Sequence, residues 1–153
     1  MEHDGFMGLA LDEARAGAAR GEQPFGAVIV RDGTVVAKSC SLKVSTSDAT
    51  AHAELLTLRE ATMSLGRRTL DDCTFYGTCE PCPMCLGAMF NAGIKHLVLG
   101  ARLRDLGDLA FAFKDYSVET FAELTGWALD LTEDVRINDC TALYVDPTVK
   151  FSR

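Results

Sequence analysis

Two short segments, Ala51-His52-Ala53-Glu54 and Pro81-Cys82-Pro83-Met84-Cys85, hold the residues of this chain whose types and spacing suit metal chemistry. Cys82 and Cys85 are three apart at the predicted start of a helix, so both sulfurs face the same way. The helix dipole and the free N–H groups there favour thiolates, the form that binds a metal. Cys-x-x-Cys at a strand-to-helix junction is also the redox motif of thioredoxin-like proteins, so alone it fits either chemistry. The second segment separates the two. His52 completes a set of two cysteines and one histidine, one ligand short of a tetrahedron, and three protein ligands with a position left for water is the pattern of catalytic zinc. Zinc so held lowers the pKa of that water toward about 7. Glu54 is placed to carry protons. On an ideal helix His52 and Glu54 diverge by about 200°, but first-turn side chains lean toward the N-terminus and can both reach over its end. The alternative is a closed structural zinc knuckle with His3, His96 or Cys79 as fourth ligand, which would have no use for Glu54.

The elements that must position these residues are read from periodicity and turn signals. Apolar residues at helical spacing predict a helix over 6–20, ended by Gly21 and Pro24. Residues 24–30 and 34–40 are β-rich runs around Arg31-Asp32-Gly33, an antiparallel hairpin. Ser45-Thr46-Ser47-Asp48 reads as a polar loop and 50–65 as a helix that carries His52 and Glu54 in its first turn. A strand is expected over 73–79, a helix from Cys82 to Gly93, a strand over 95–101, a helix over 117–124 and a short strand over 127–132. Residues 137–145 fit helix or strand. A hairpin followed by alternating helices and strands indicates an α/β sheet with helices on both faces, antiparallel in part.

With 153 residues, 48% hydrophobic and 24% charged, and no low-complexity or linker-like run, the chain reads as one domain over 1–153. Met1-Glu2-His3-Asp4 lacks the basic start of a secretory signal, and no apolar run reaches the roughly 18 residues that span a bilayer, so a cytoplasmic protein without a membrane partner is expected. In a reducing compartment the six cysteines do not read as a disulfide framework; Cys40, Cys73, Cys79 and Cys140 read as small buried hydrophobes. A formal net charge of -7 opposes phosphate backbones at long range, which disfavours a nucleic-acid partner. Arg67, Arg68, Arg102 and Arg104 read as a solvated charged face, and Phe111 and Phe113 as core or dimer contacts. Phe25 is a candidate to stack on a substrate ring, with ordinary core as its alternative.

His52-Ala53-Glu54 followed by Pro81-Cys82-Pro83-Met84-Cys85 is the H-x-E…P-C-x-x-C signature of zinc deaminases. On these residues, and on PFGAVIV (24–30), TAHAE (50–54), TCEPCPMCLGAM (78–89) and LGAR (99–102) in the same order, the sequence resembles the cytidine deaminase-like superfamily. The similarity lies with its branch of guanine deaminases, free-cytosine deaminases and tRNA adenosine deaminases. The resemblance implies a three-layer α/β/α sandwich around a five-stranded mixed sheet and a homodimer. It also implies one zinc per chain on His52, Cys82 and Cys85, proton transfer by Glu54, release of an amino group as ammonia, and contact of the Ala53 backbone N–H with a base carbonyl.

The resemblance also bears on substrate. Cys79 before Glu80 is more like guanine deaminases than the tRNA branch, where an aliphatic residue is usual. The long basic C-terminal helix typical of that branch is expected to be missing, since Thr148-Val149-Lys150-Phe151-Ser152-Arg153 holds two basic residues. The family's base-contacting asparagine, eleven residues before the zinc histidine, is Ser41 here, and its Asp-Pro-Thr is Asp48-Ala49-Thr50. Asp105 matches an acidic residue that guanine deaminases aim at the purine. The expectation is a zinc-dependent deaminase of a small free base, guanine or a related nucleobase. A tRNA adenosine deaminase and a cytosine deaminase are the alternatives.

Overall fold

The computed structural model describes residues 2–107, 113 and 115–145. Asp-Gly at 32–33 makes the first hairpin. Both residues take positive φ, 49° and 72°, as a type I′ connection requires, and β1 (Gly26–Arg31) pairs antiparallel with β2 (Thr34–Cys40). The preceding helix α1 (Glu2–Ala19) starts earlier than its apolar pattern suggests, because Glu2 and Asp4 place acidic groups in its first turn. Gly26 lets α1 lie on β1: a Cβ there would fall 1.9 Å from the Ala10 carbonyl oxygen.

The predicted polar loop after β2 contains one helical turn, α2 (Lys43–Thr46). It forms because the buried Glu22 carboxylate accepts the Val44 and Ser45 N–H groups at 3.0 and 2.9 Å, a cap from far back in the chain. Next come α3 (Ala53–Leu65), β3 (Thr74–Cys79), α4 (Pro83–Asn91) and β4 (His96–Ala101). A 3-10 turn (Leu103–Asp105), α5 (Val118–Thr125), β5 (Asp130–Thr132) and α6 (Ile137–Ala142) follow. The last segment is thus helical. The strand predicted over 127–132 is shorter than its pattern, because the Trp127 indole N–H donates to the Ile94 carbonyl (2.9 Å) and its ring packs on Phe90 and Phe121.

The five strands lie in the order β2-β1-β3-β4-β5, with β1 antiparallel to both β2 and β3, and β3, β4 and β5 parallel. Alternation along the strands feeds two cores. Ala27, Ile29, Phe75, Leu97 and Leu99 pack with Leu58, Ala61, Leu86 and Met89 of α3 and α4. Val28, Val30, Tyr76 and Val98 pack with Met7, Leu11, Cys140 and Tyr144 on the side of α1 and α6. The result is the expected three-layer α/β/α sandwich with a five-stranded mixed sheet. Among the described residues no helix is long and apolar enough to cross a membrane. Phe111 and the segment Thr148 to Arg153 lie outside the described residues.

Candidate metal and active site

The N-termini of α3 and α4, side by side at one end of the sheet, carry the chemistry-bearing residues. His52 is the N-cap of α3 (φ -68°, ψ 149°), not part of its first turn. That extended backbone is how its imidazole and the Glu54 carboxylate reach the same place, where two positions of a regular helix would diverge. Cys82 caps α4 in the same way (φ -70°, ψ 168°), Pro83 takes the first helical position, and Cys85 follows one turn in.

Cys82 Sγ and Cys85 Sγ are 3.6 Å apart, and His52 Nδ1 lies 3.6 and 3.5 Å from them. A tetrahedral zinc, with bonds of about 2.3 Å to sulfur and about 2.0 Å to nitrogen, has S···S edges of about 3.8 Å and S···N edges of about 3.6 Å. The donor triangle therefore fits zinc, with His52 offering Nδ1. The sulfurs are too far apart for a disulfide, which needs about 2.05 Å, and all six cysteines are free. Among the described residues no fourth side chain joins the cluster. His3 bonds the Tyr76 hydroxyl and His96 bonds Asp130, so neither closes a knuckle.

The hydrogen bond shared with Cys85 holds the Cys82 thiol far down, at about 4, while the same bond and burial push the Cys85 thiol up. His52 is raised, chiefly by its bond to Cys82. Such a pair carries one negative charge by itself and ionises fully only beside a cation, as zinc thiolate sites do. Glu54 Oε2 lies 3.6 Å from Cys85 Sγ, and burial pushes this carboxyl above its usual range. Its place beside the donor triangle suits a carboxyl that exchanges protons with a group bound there.

These groups open into a cavity of about 440 Å³. Phe25, Ser41 and Ala53, the candidate substrate contacts, line it. Phe25 also stacks on Tyr144 at a centroid distance of 5.3 Å, so it serves both cavity and core. Ser41 is buried, and its Oγ accepts the Lys43 N–H at 3.4 Å. Asp105 is different. It is exposed, it is not among the lining residues, and its Oδ2 accepts the Arg102 backbone N–H at 2.8 Å, closing the 3-10 turn.

Several lining residues were not singled out from the sequence: Gln23, Lys43, Met84, Leu103, and Phe113, which had read as core or dimer contact. Gln23 had a signal, a polar residue directly before Pro24-Phe25, but its burial is visible only in the fold. Arg102 corrects the solvated-face reading of the arginines, since its side chain is 1% exposed and ion-paired with Glu80. Cys40, Cys73, Cys79 and Cys140 are buried, as expected.

A mixed α/β sandwich with two helix N-termini converging on a Cys2His set defines a zinc deaminase class of site. Residues 1–101 match the family described as the cytidine and deoxycytidylate deaminase zinc-binding region, and the chain belongs to that family. It is 42% identical over 112 residues to the guanine deaminase of Bacillus subtilis, covering 72% of each chain. A structure from work on A-to-I editing by tRNA:A34 deaminases is 36% identical with a TM-score of 0.79, covering 90% of this chain and 97% of that one. The guanine deaminase of Nitrosomonas europaea is 27% identical with a TM-score of 0.82, covering 92% and 81%. In other relatives the chain spans as little as 8% of a longer protein.

Proposed function

We propose that this chain hydrolytically deaminates a free amino-oxo heterocycle, guanine or a close analogue. The observation that carries this reading is the cavity: about 440 Å³, the size of small-ligand sites, walled largely by apolar groups, with Lys43 the one lysine or arginine among the described residues that line it. That composition suits a neutral flat ring better than a phosphate backbone, and the net charge of -7 points the same way. The likeness to two guanine deaminases supports it.

In this reading His52, Cys82 and Cys85 would hold zinc, which would lower the pKa of a water so that, on losing a proton at neutral pH, it becomes the nucleophile toward the amine-bearing ring carbon. Glu54 takes the proton that this water loses and delivers it to the neighbouring ring nitrogen. It then takes the second proton from the hydroxyl now on the carbon and passes it to the amine, which departs as ammonia as the C–N bond breaks and the carbonyl forms. Ala53 is the first helical residue, and its N–H, one of the amides a helix leaves without an intrahelical acceptor, faces a base carbonyl. Phe25 lies against the ring, and Gln23 and Ser41 supply polar contacts at its edge. The functional unit is a homodimer, checked by light scattering on the eluting protein.

The similarity to a tRNA:A34 deaminase structure favours a second reading, an adenosine deaminase acting on tRNA. Ammonia release separates the two. The panel is guanine, isocytosine, cytosine, adenine, guanosine, cytidine and an adenosine-containing anticodon stem-loop, with Glu54→Ala as the blank. Release from guanine or isocytosine is expected; release from the stem-loop alone overturns the free-base reading.

A further inference from the structure

Glu80 stands two residues before Cys82, just beyond the end of β3, and both of its carboxylate oxygens are fully used. Oε1 accepts Arg102 Nε at 3.0 Å and the Leu103 N–H at 2.9 Å. Oε2 accepts Arg102 Nη2 at 3.1 Å and the Val118 N–H, at the start of α5, at 2.9 Å. The Glu80 N–H donates to the Ala101 carbonyl (2.8 Å), and the Tyr116 hydroxyl donates to the carbonyl of Pro81. Arg102 in turn reaches Glu119 of α5 and Glu133 beyond β5. The Arg102 and Glu80 side chains are 1% and 3% exposed.

Burying a bidentate ion pair is a poor route to stability, since apolar replacements of similar volume are often as good or better. What such a pair does supply is fixed geometry, because a planar guanidinium fork meets a carboxylate in one orientation. The two residues leading into Cys82 are here tied to the end of β4, the 3-10 turn and α5. Cys82 itself sits at the end of a helix, where backbone freedom is otherwise largest.

We infer that Glu80 and Arg102 are positioning residues: their ion pair sets where the Cys82 sulfur sits, and through it the metal affinity and the turnover of the site. The inference rests on the proposed role of Cys82 as a zinc ligand. The test measures zinc affinity by competition with a chromophoric chelator, the thiolate-to-cobalt absorption of the cobalt-substituted protein, and kcat and KM. It compares wild type, Arg102→Lys, Arg102→Met, Glu80→Gln and Cys82→Ala. Leu11→Ala, a buried change in the core on the other face of the sheet, controls for lost stability. Expected for Arg102→Met and Glu80→Gln are about 10–100-fold weaker zinc binding, an altered cobalt band, and a fall in kcat with KM within twofold. Arg102→Lys keeps the charge without the fork and should recover only part of the loss.

Zinc affinity and cobalt absorption within twofold of wild type in folded Arg102→Lys or Glu80→Gln overturn the inference. So does an equal loss of zinc affinity in Leu11→Ala. If Arg102→Met does not fold, Arg102→Lys and Glu80→Gln decide. If Cys82→Ala keeps the wild-type cobalt band, the ligand reading fails and takes the inference with it. If Cys82→Ala loses the band while the clamp variants keep it, only the inference fails.

Discussion

His52 and Cys82 cap, and Glu54 and Cys85 stand in the first turns of, two helices that share one core against the sheet. Gln23, Ser41 and Lys43 come instead from the segment before β1 and the connection after β2, at the edge where β2 is the outermost strand. The first group is the floor of the cavity, which His52, Glu54 and Cys82 line with Cys85 buried behind them, and the second is a wall. The floor is held by caps, helix dipoles and buried packing, so its geometry changes little unless the core changes. The wall hangs on a short turn that Glu22 caps from a distance, so it can vary without disturbing the chemistry beneath.

Removing a floor ligand should have the largest effect. Cys85→Ala is expected to lose both bound zinc and measurable turnover, read by metal analysis alongside ammonia release; full zinc occupancy in this variant would refute the ligand assignment. Glu54→Ala separates the floor's architecture from its proton chemistry. It should keep zinc and fold while kcat falls by about 10²–10⁴-fold, and substantial residual activity would end its role as proton carrier.

Changes in the wall should act on binding rather than on the chemical step. Phe25→Ala is expected to weaken binding of the base by about 1–3 kcal/mol, seen as a rise in KM with a smaller change in kcat. An effect on folding alone would return Phe25 to the core it shares with Tyr144. Ser41→Ala removes one hydroxyl and should cost roughly threefold to tenfold in kcat/KM; a loss as large as that of Glu54→Ala would erase the distinction between wall and floor. Asp105→Ala should have the smallest effect. It removes a backbone cap worth about 1 kcal/mol, visible as a lower melting temperature at unchanged KM, and a raised KM would bring Asp105 back to the substrate.

Most of the floor was legible because its signals are local. Cys82 and Cys85 are one turn apart, His52 and Glu54 two residues apart, and each pair stands where a helix begins. The one local detail that periodicity missed is that His52 caps its helix and does not belong to it. Asp105 shows the opposite case: its position in the chain suggested a purine contact, yet the nearest N–H donor, that of Arg102, takes its carboxylate.

The amino-acid sequence by itself determined the hairpin at Asp32-Gly33, the order of helices and strands up to β4 apart from α2, and the candidate metal-ligand set, because turn chemistry, periodicity and ligand spacing all act over a few residues. Only the tertiary structure decided that Glu22 nucleates α2, that Arg102 is buried between Glu80 and two further carboxylates, and that Gln23, Leu103 and Phe113 face the cavity. Each of those depends on groups far apart in the chain, whose burial and pairing exist only once the sheet and its two helix layers have closed around them.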